Sequence, residues 1–461
     1  MSMWNAILRR GDRNGLGLGT AFAVLSLGAA TLGGCSNVAR FQPRLNEYHA
    51  RGDYIGAAAL LDSEPTREAY GDKSGLLWHM ERGSVALAAG NPELAVKRFD
   101  TAEAASAYNY DPSRGDVFAM WALNDAAASF VAQPYEDMYI NVFKTLAYLE
   151  QGKIDGFATA EALRQLRKAE HLRDVYGKYM QMAGAQDKAG VLKTEKAKAG
   201  MNARDAGQFV ESPLGAYLSC VTFLAVDERN NQELAARRLV DAIRQQQQIV
   251  GPVKAEAFEQ LATLNRDDVN VLVVALTGRG PIKTESRLRA PLLDLVVDIP
   301  YPRLSMQPSS VTGAMLEVEG SAEAPGRLSL VEDMASVSAE NYRRAEPAIY
   351  SRTLVRVAGK LGLVAGASVA AHQGDKKNNY TLAAVTAVVG VLAVQATEQA
   401  DLRSWVFLPG QARVMLAKLP AGTHRVRMVY ELATGGTVRE EWKTIQVPER
   451  GLTTVIGYNP S

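Results

Sequence analysis

The sequence has few residues of the kinds that build disulfide, metal or strongly electrostatic sites. Its 461 residues include two cysteines and five histidines, and the formal net charge is +1. Two cysteines exclude a disulfide-rich framework, so stability must come from a hydrophobic core, which a chain of this length can form. A net charge near zero excludes a general electrostatic attraction to nucleic acid. We therefore expect no nucleic-acid partner.

Motifs for common catalytic and cofactor sites are missing as well. The chain has no phosphate-binding loop that ends in Gly-Lys-Ser or Gly-Lys-Thr, no His-Glu-x-x-His zinc pattern and no Gly-x-Ser-x-Gly elbow. A metal site needs three or four converging ligands, whereas the histidines are scattered. We expect no catalytic residues, no metal and no cofactor. The histidines are His49, His79, His171, His372 and His424.

Long apolar runs are confined to the N-terminus. Three arginines lie within residues 9–13, and residues 16–34 are apolar or small. A basic start, a short apolar run and small residues before a break are typical of a secretory signal. After this segment, no stretch is long and apolar enough to predict a transmembrane helix with confidence.

The end of the apolar run is more specific than an ordinary cleavage site. Leu32, Gly33, Gly34 and Cys35 resemble the lipobox of bacterial lipoproteins. This resemblance implies that residues 1–34 are a lipoprotein signal peptide and that Cys35 is the lipid attachment site. Residues 35–40 would then be a short lipidated tether. The alternative is a plain signal peptide or membrane anchor in which the cysteine occurs by chance.

The residue after Cys35 bears on the destination of the protein. Ser36 stands where an aspartate would favour inner-membrane retention in many Gram-negative lipoproteins. By that family-level rule, we expect attachment to the outer membrane on its periplasmic face. Cys220 would then have no cysteine to pair with, and its apolar surroundings indicate a buried, inert thiol.

Residues 41–265 form a helical half with a weak repeat of helix, tight turn and helix. Glycine or asparagine at each break supplies a left-handed turn conformation, and small residues such as Gly83 let paired helices approach closely. The units resemble tetratricopeptide repeats, which implies an irregular α-solenoid whose concave face binds peptides or partner helices. The alternative is that these helices only support the second half. The breaks are Gly52-Asp53-Tyr54, Gly90-Asn91-Pro92, Gly152-Lys153-Ile154 and Asn230-Asn231-Gln232.

Residues 266–461 form a mixed half with strands and a helical hairpin. The β-branched apolar run Val269–Leu276 predicts a buried strand. Residues 412–457 alternate between apolar and polar and predict a small antiparallel sheet. The Ala/Gly-rich residues 354–396 predict a helical hairpin that packs against the rest of the protein. The open alternative is that this hairpin dips into a membrane.

The stretch between the hairpin and the sheet combines charge and aromatic surface. Glu398, Asp401, Arg403 and Trp405 fall within eight residues. We expect Glu398 or Asp401 to pair with Arg403 or with one of the upstream arginines and so to fix the corner where the helix meets the sheet. The upstream arginines are Arg343, Arg344, Arg352 and Arg356. A contact patch for a partner is the alternative.

The order of these segments resembles a family of poorly characterised proteobacterial lipoproteins with a tetratricopeptide-like N-terminal half. The predicted fold class is α+β, with an irregular α-solenoid followed by a domain of antiparallel sheet and helical hairpin. The resemblance implies where the protein is located and that it serves as a scaffold, but it implies no catalytic activity. We expect a lipid-anchored scaffold that binds a protein partner in envelope assembly or export. The alternatives are a structural subunit of a larger envelope complex and, less favoured, a periplasmic enzyme acting on cell-wall glycan.

Overall fold

A computed structural model describes residues 37–109, 129–169, 209, 211–292, 295–321, 326–346, 349, 353, 357 and 399–461. The predicted signal peptide, the lipobox residues Leu32, Gly33 and Gly34, and Cys35 lie outside the described residues. So do Glu398 and all but Val357 of the predicted hairpin 354–396.

The described part of the N-terminal half is helical, as expected. Residues 159–169 and 334–346 are also helical. Within the described residues, no helix is long and apolar enough to cross a membrane. The helices are α1 Gln42–Arg51, α2 Tyr54–Asp62, α3 Glu64–Tyr70, α4 Gly75–Ala88, α5 Pro92–Asn109, α6 Pro134–Glu150, α7 Pro213–Ala225, α8 Arg229–Gln245 and α9 Gln247–Val250.

Four helix–turn–helix connections share one turn geometry. Gly52, Gly90, Gly152 and Asp227 have positive φ angles of 67°, 72°, 68° and 64°. In each turn this residue's N–H binds the carbonyl three residues back, and the next N–H binds the carbonyl five residues back from itself. These paired bonds satisfy carbonyls that a helix end leaves free. The three glycine turns occur where the sequence predicts them.

The predicted position of the fourth break is wrong by three residues. Asn230, Asn231 and Gln232 lie inside α8, and the turn is formed by Asp227 and Glu228. Aspartate tolerates the left-handed region because its short polar side chain can hydrogen-bond locally. The sequence pattern misses this turn because glycine and asparagine are the usual residues at such a position.

Ten strands form the β structure of the described residues. The first sheet has the order β10-β1-β6-β5, β2 and β3 form a separate ribbon, and in the third sheet β4, β8 and β9 all pair with β7. All pairs are antiparallel except the parallel pair of β1 and β10. The strands are β1 Val271–Arg279, β2 Ile282–Leu292, β3 Leu295–Ser305, β4 Val311–Val318, β5 Ser329–Asp333, β6 Pro409–Ala417, β7 Gly422–Leu432, β8 Thr437–Arg439, β9 Lys443–Val447 and β10 Thr453–Asn459.

Strand β1 lies at the centre of the fold and is buried on both faces. Leu272, Val274 and Leu276 belong to the core that the first sheet shares with the helices. Val271 and Val273, on the opposite face, pack in a second core with β4 and β7. Burial on both faces explains why this strand is a continuous apolar run instead of an alternating one.

The protein therefore has a layer of helices, a first sheet and a second sheet, which confirms the α+β fold class. The larger core contains side chains from both predicted halves. The division into a domain 41–265 and a domain 266–461 stays a prediction.

Candidate functional site

The first helix of each helix–turn–helix pair lies toward the β structure. These inner helices are α1, α4, α6 and α7, and all four hydrogen-bond to residues beyond 265. Helices α6 and α7 are buried along almost their whole circumference. Helix α8, the second member of its pair, buries one face. The sheet and the residues that precede it thus cover much of the inner helix surface.

Residues 401–408, which we call the anchor segment, occupy the inner surface of α1 and α4. The Glu81 carboxylate accepts the backbone N–H groups of Val406 and Phe407, at 2.8 and 3.0 Å. The indole N–H of Trp405 donates to Ser84 Oγ at 3.0 Å. Irregular backbone needs partners for its amides when it is buried, and Glu81 supplies them here. Burial raises the pKa of Glu81 to about 8.

The expected ion pair in this segment is formed by Asp401 and Arg403. Two 2.8 Å hydrogen bonds join their side chains, and Arg403 is 1% exposed. Arg403 also donates to Ser74 Oγ at 3.3 Å and lies over the ring of Phe130. Burial opposes the charge of Asp401, but the adjacent Arg403 holds its pKa below the usual range. The expected pairing of Asp401 with Arg403 is therefore confirmed, whereas the helix end that would form the corner lies outside the described residues.

A second buried carboxylate joins the first sheet to α6 and α7. Glu332 on β5 accepts hydrogen bonds from Tyr139 Oη at 2.7 Å, Ser212 Oγ at 2.5 Å and the Leu214 N–H at 3.0 Å. Burial raises the pKa of Glu332 to about 7. Since every one of these partners is a donor, the group binds the layers together and is not free to act on a ligand.

One part of the inner helix surface remains open. We call it the aromatic depression, and its empty volume of about 380 Å³ includes open solvent. The ring centroids of His49 and Phe407 are 5.0 Å apart, and those of Tyr54 and Tyr458 are 5.9 Å apart. The depression is lined by His49, Tyr54, Ser84, Leu87, Ala88, Phe143, Leu276, Gly278, Phe407, Pro409, Tyr458 and Pro460.

His49 supplies a polar group to this depression. Its Nδ1 lies 2.8 Å from the Val406 carbonyl oxygen, so Nδ1 carries the proton and donates it. Burial lowers the pKa of His49 to about 3, and the ring is neutral at pH 7. Its Nε2 is therefore an acceptor. No lining residue is an acid, a lysine or an arginine, so the depression offers apolar and aromatic contact together with a neutral acceptor.

The structure places the other singled-out residues apart from one another. Cys220 is buried, as expected, and burial raises the pKa of its thiol to about 12. His424 binds the Pro420 carbonyl at an exposed position, and His171 and His372 lie outside the described residues. Among the residues that the structure describes, no three His, Cys, Asp or Glu side chains are placed to hold a metal ion.

The sequence does not reveal the aromatic depression. Tyr54, Phe407 and Tyr458 come from three distant segments, and Tyr54 was noted only as part of a turn. Aromatic residues at such separations carry no spacing signal, because only the packing of the first sheet on the helices brings them together.

Comparison with protein families, with curated proteins and with solved structures gave no match to this chain.

Proposed function

We propose that this protein is a lipid-anchored scaffold on the periplasmic face of the outer membrane, which binds a protein partner in envelope assembly or export. The lipobox-like residues ending at Cys35 support the anchor. The observation that carries the binding role is the aromatic depression, an open part of an inner helix surface that the protein's own sheet covers in large part.

The repeated helix pairs support a tetratricopeptide-like arrangement as part of this proposal. Four pairs share one turn geometry, and α4, α5, α6, α7 and α8 each contact the next helix in this order. Repeats stacked in sequence form a concave surface suited to peptides. In this protein, the anchor segment and the first sheet take up part of that surface, which leaves a smaller site.

The chemistry of the depression favours a peptide side chain as its occupant. The depression is partly open to solvent, so it suits a side chain of a partner better than an enclosed small molecule. Aromatic rings suit an apolar or aromatic side chain, and the Nε2 of His49 suits a hydrogen-bond donor. The proposed occupant is an extended partner segment that inserts a side chain of this kind, such as tyrosine or tryptophan.

Two neighbouring alanines allow a matched test. Ala88 lines the depression, whereas Ala89 is exposed and does not line it. Ala88→Arg should fill the depression, and Ala89→Arg should place the same side chain in solvent. Both sites are at the end of α4, where a cation is favourable. The lipidated full-length variants would be crosslinked in cells, and the captured proteins would be identified and quantified by mass spectrometry.

A partner enriched with wild type and Ala89→Arg but lost with Ala88→Arg supports the proposal. Equal capture by all three proteins places the contact elsewhere and contradicts the role of the depression. If no partner is enriched, the scaffold proposal fails. The structural-subunit alternative would then be tested by the size of the native complex, and the glycan-enzyme alternative by incubation with cell-wall polymer.

The anchor is tested separately. Metabolic labelling with palmitate should label wild type and not Cys35→Ala, and the variant should leave the outer-membrane fraction. Ser36→Asp keeps the lipid, and we expect it to move the protein toward the inner membrane. Labelling of Cys35→Ala equal to wild type would contradict the assignment of Cys35.

A further inference from the structure

A second feature lies between α3, α4 and α5, around a buried tryptophan. The indole N–H of Trp78 donates to the Leu61 carbonyl at 2.8 Å, and the residue is 4% exposed. The guanidinium carbons of Arg67 and Arg98 lie 4.4 and 4.7 Å from the centre of its ring. Trp78 is therefore a fixed platform on which two arginines from different helices stack.

These two arginines are not neutralised. Arg67 and Arg98 form no ion pair with any residue that the structure describes. The nearby Asp62 is already bound by Arg82, with contacts of 3.0 to 3.1 Å. The cluster of three arginines and one aspartate thus carries an excess of positive charge, although the whole chain has a net charge of +1.

Two buried nitrogen atoms at the same place also lack partners. Arg98 Nε and His79 Nδ1 are buried, and neither makes a hydrogen bond to any described residue. The rings of Trp78 and His79 are 5.0 Å apart in an edge-to-face arrangement. Buried polar atoms normally have partners, and an unpaired one indicates a missing ligand or water.

The charges in the cluster also favour a bound anion. Burial is the main cause that lowers the pKa of Arg98, and the charge of Arg82 is the next. Asp62 raises this pKa, and Arg67 lowers it. Burial together with Arg98 and Arg67 lowers the pKa of His79 to about 4. The charged form of Arg98 is therefore destabilised by burial and by neighbouring positive charge, and a bound anion would relieve this repulsion.

We propose that Arg67 and Arg98, held against Trp78, bind a phosphate-type oxyanion, with His79 as an additional hydrogen-bond donor. A guanidinium stacked on an aromatic ring keeps its N–H edge free for oxyanion binding, and this edge matches the geometry of a phosphate group. The ligand is a phosphate group, either as free phosphate or as part of a lipid headgroup.

The probe is inorganic phosphate, titrated calorimetrically into the full-length protein in neutral detergent at constant ionic strength. Removal of one charge-assisted contact should weaken phosphate binding about tenfold or more. We expect this weakening of phosphate binding for both Arg67→Gln and Arg98→Gln. Lys97→Gln, which removes an exposed charge beside Arg98 on α5, should change the affinity less than about twofold.

Arg67 is exposed, so Arg67→Gln should fold normally. It therefore tests the proposal even if Arg98→Gln is unstable. No saturable binding by wild type, or equal affinities for wild type and Arg67→Gln, would overturn the proposal. Equal weakening by Lys97→Gln would also overturn it, since the effect would then be general surface charge.

A second titration distinguishes the sources of the ligand. Glycerophosphoglycerol, the deacylated headgroup of phosphatidylglycerol, replaces inorganic phosphate as the probe. Tighter binding of this diester than of inorganic phosphate supports a lipid headgroup, and the reverse order supports a free phosphate. Arg67→Gln should weaken whichever probe binds more tightly, and the proposal fails if it weakens neither.

Discussion

Glu81 accepts the backbone N–H of Phe407 at 3.0 Å, although 326 residues separate the two along the chain. The same carboxyl group accepts the N–H of Val406 at 2.8 Å. The anchor segment therefore uses a helix side chain where a strand would use a neighbouring strand. This pairing joins the helices to the first sheet and forms one wall of the aromatic depression, because Phe407 lines it.

Loss of this carboxyl group should weaken the whole fold. Glu81→Leu leaves two buried N–H groups without an acceptor, and each costs about 1–3 kcal/mol. We expect the free energy of unfolding to fall by about 2–4 kcal/mol, measured by urea denaturation. Glu81→Gln keeps one acceptor oxygen and should lose less. A Glu81→Leu protein as stable as the exposed control Glu93→Gln would contradict the role assigned to Glu81.

Stability should fall as the pH rises through 7. Burial raises the pKa of Glu332 to about 7, against 4.5 as its ordinary value. Between these values the folded protein holds a proton that the unfolded chain has lost, so raising the pH favours unfolding. Because glutamine cannot titrate, Glu332→Gln should make the decline in the free energy of unfolding between pH 6 and 8.5 smaller by about 1–2 kcal/mol.

Denaturation series at several pH values measure this slope. If Glu332→Gln lowers the free energy of unfolding equally at every pH, the loss reflects altered hydrogen bonds. The slope of that free energy against pH is therefore the quantity that tests the titration of Glu332. Glu228→Gln, at an exposed position, is the control. If its slope and that of Glu332→Gln both match wild type, the pH dependence does not come from Glu332.

A buried lysine holds three helical segments together. Lys144 on α6 is 1% exposed, and its Nζ lies 3.0, 2.5 and 2.9 Å from oxygens of Asp100, Glu103 and Glu161. Burial opposes its charge, but Glu161 and Glu103 hold the pKa of Lys144 above its usual value. Removal of this cation would leave three neighbouring carboxylates, of which Glu103 and Glu161 keep Arg164 as their remaining cation.

Lys144→Met should therefore lower the free energy of unfolding by about 3–5 kcal/mol at pH 7. The deficit should narrow toward pH 4, because Glu103, whose pKa the lysine holds below its usual value despite burial, would take up a proton more readily in the variant and so lose its charge there. Lys97→Met, at an exposed position, should stay close to wild type. Thermal unfolding at pH 4 and pH 7 measures both effects, and a deficit independent of pH would argue against the charge mechanism.

Substitutions at the left-handed turn positions should change stability according to whether glycine is lost or gained. Gly90 has a φ of 72°, and a Cβ there would meet no atom within 4 Å, so only backbone strain opposes a side chain. Gly90→Ala should cost about 1–2 kcal/mol. Asp227→Gly, at a φ of 64°, should be neutral or stabilise by up to about 1 kcal/mol.

Chemical denaturation measures both turn variants. Gly436→Ala is the control, because its Cβ would also meet open space and its φ is not positive. A Gly90→Ala protein as stable as Gly436→Ala would mean that the turn relaxes to another conformation.

The sequence by itself determined features that depend on a few neighbouring residues. Gly52, Gly90 and Gly152 mark turns that require a positive φ, which glycine adopts without strain. The unbroken apolar run of β1 indicates a strand buried on both faces. The alternation in β7 separates buried Val426 and Met428 from Arg425 and Arg427. Backbone preference and burial periodicity are local, so they can be read from the sequence.

Only the tertiary structure decided which distant residues meet. The parallel pairing of β1 with β10, the Glu81 bonds to the anchor segment and the ring contacts of Tyr54 with Phe407 and Tyr458 all join residues far apart in sequence. No local preference specifies such contacts, since they form when the helices and both sheets bury their apolar faces together. The aromatic depression and the Arg67–Arg98 cluster are products of that packing.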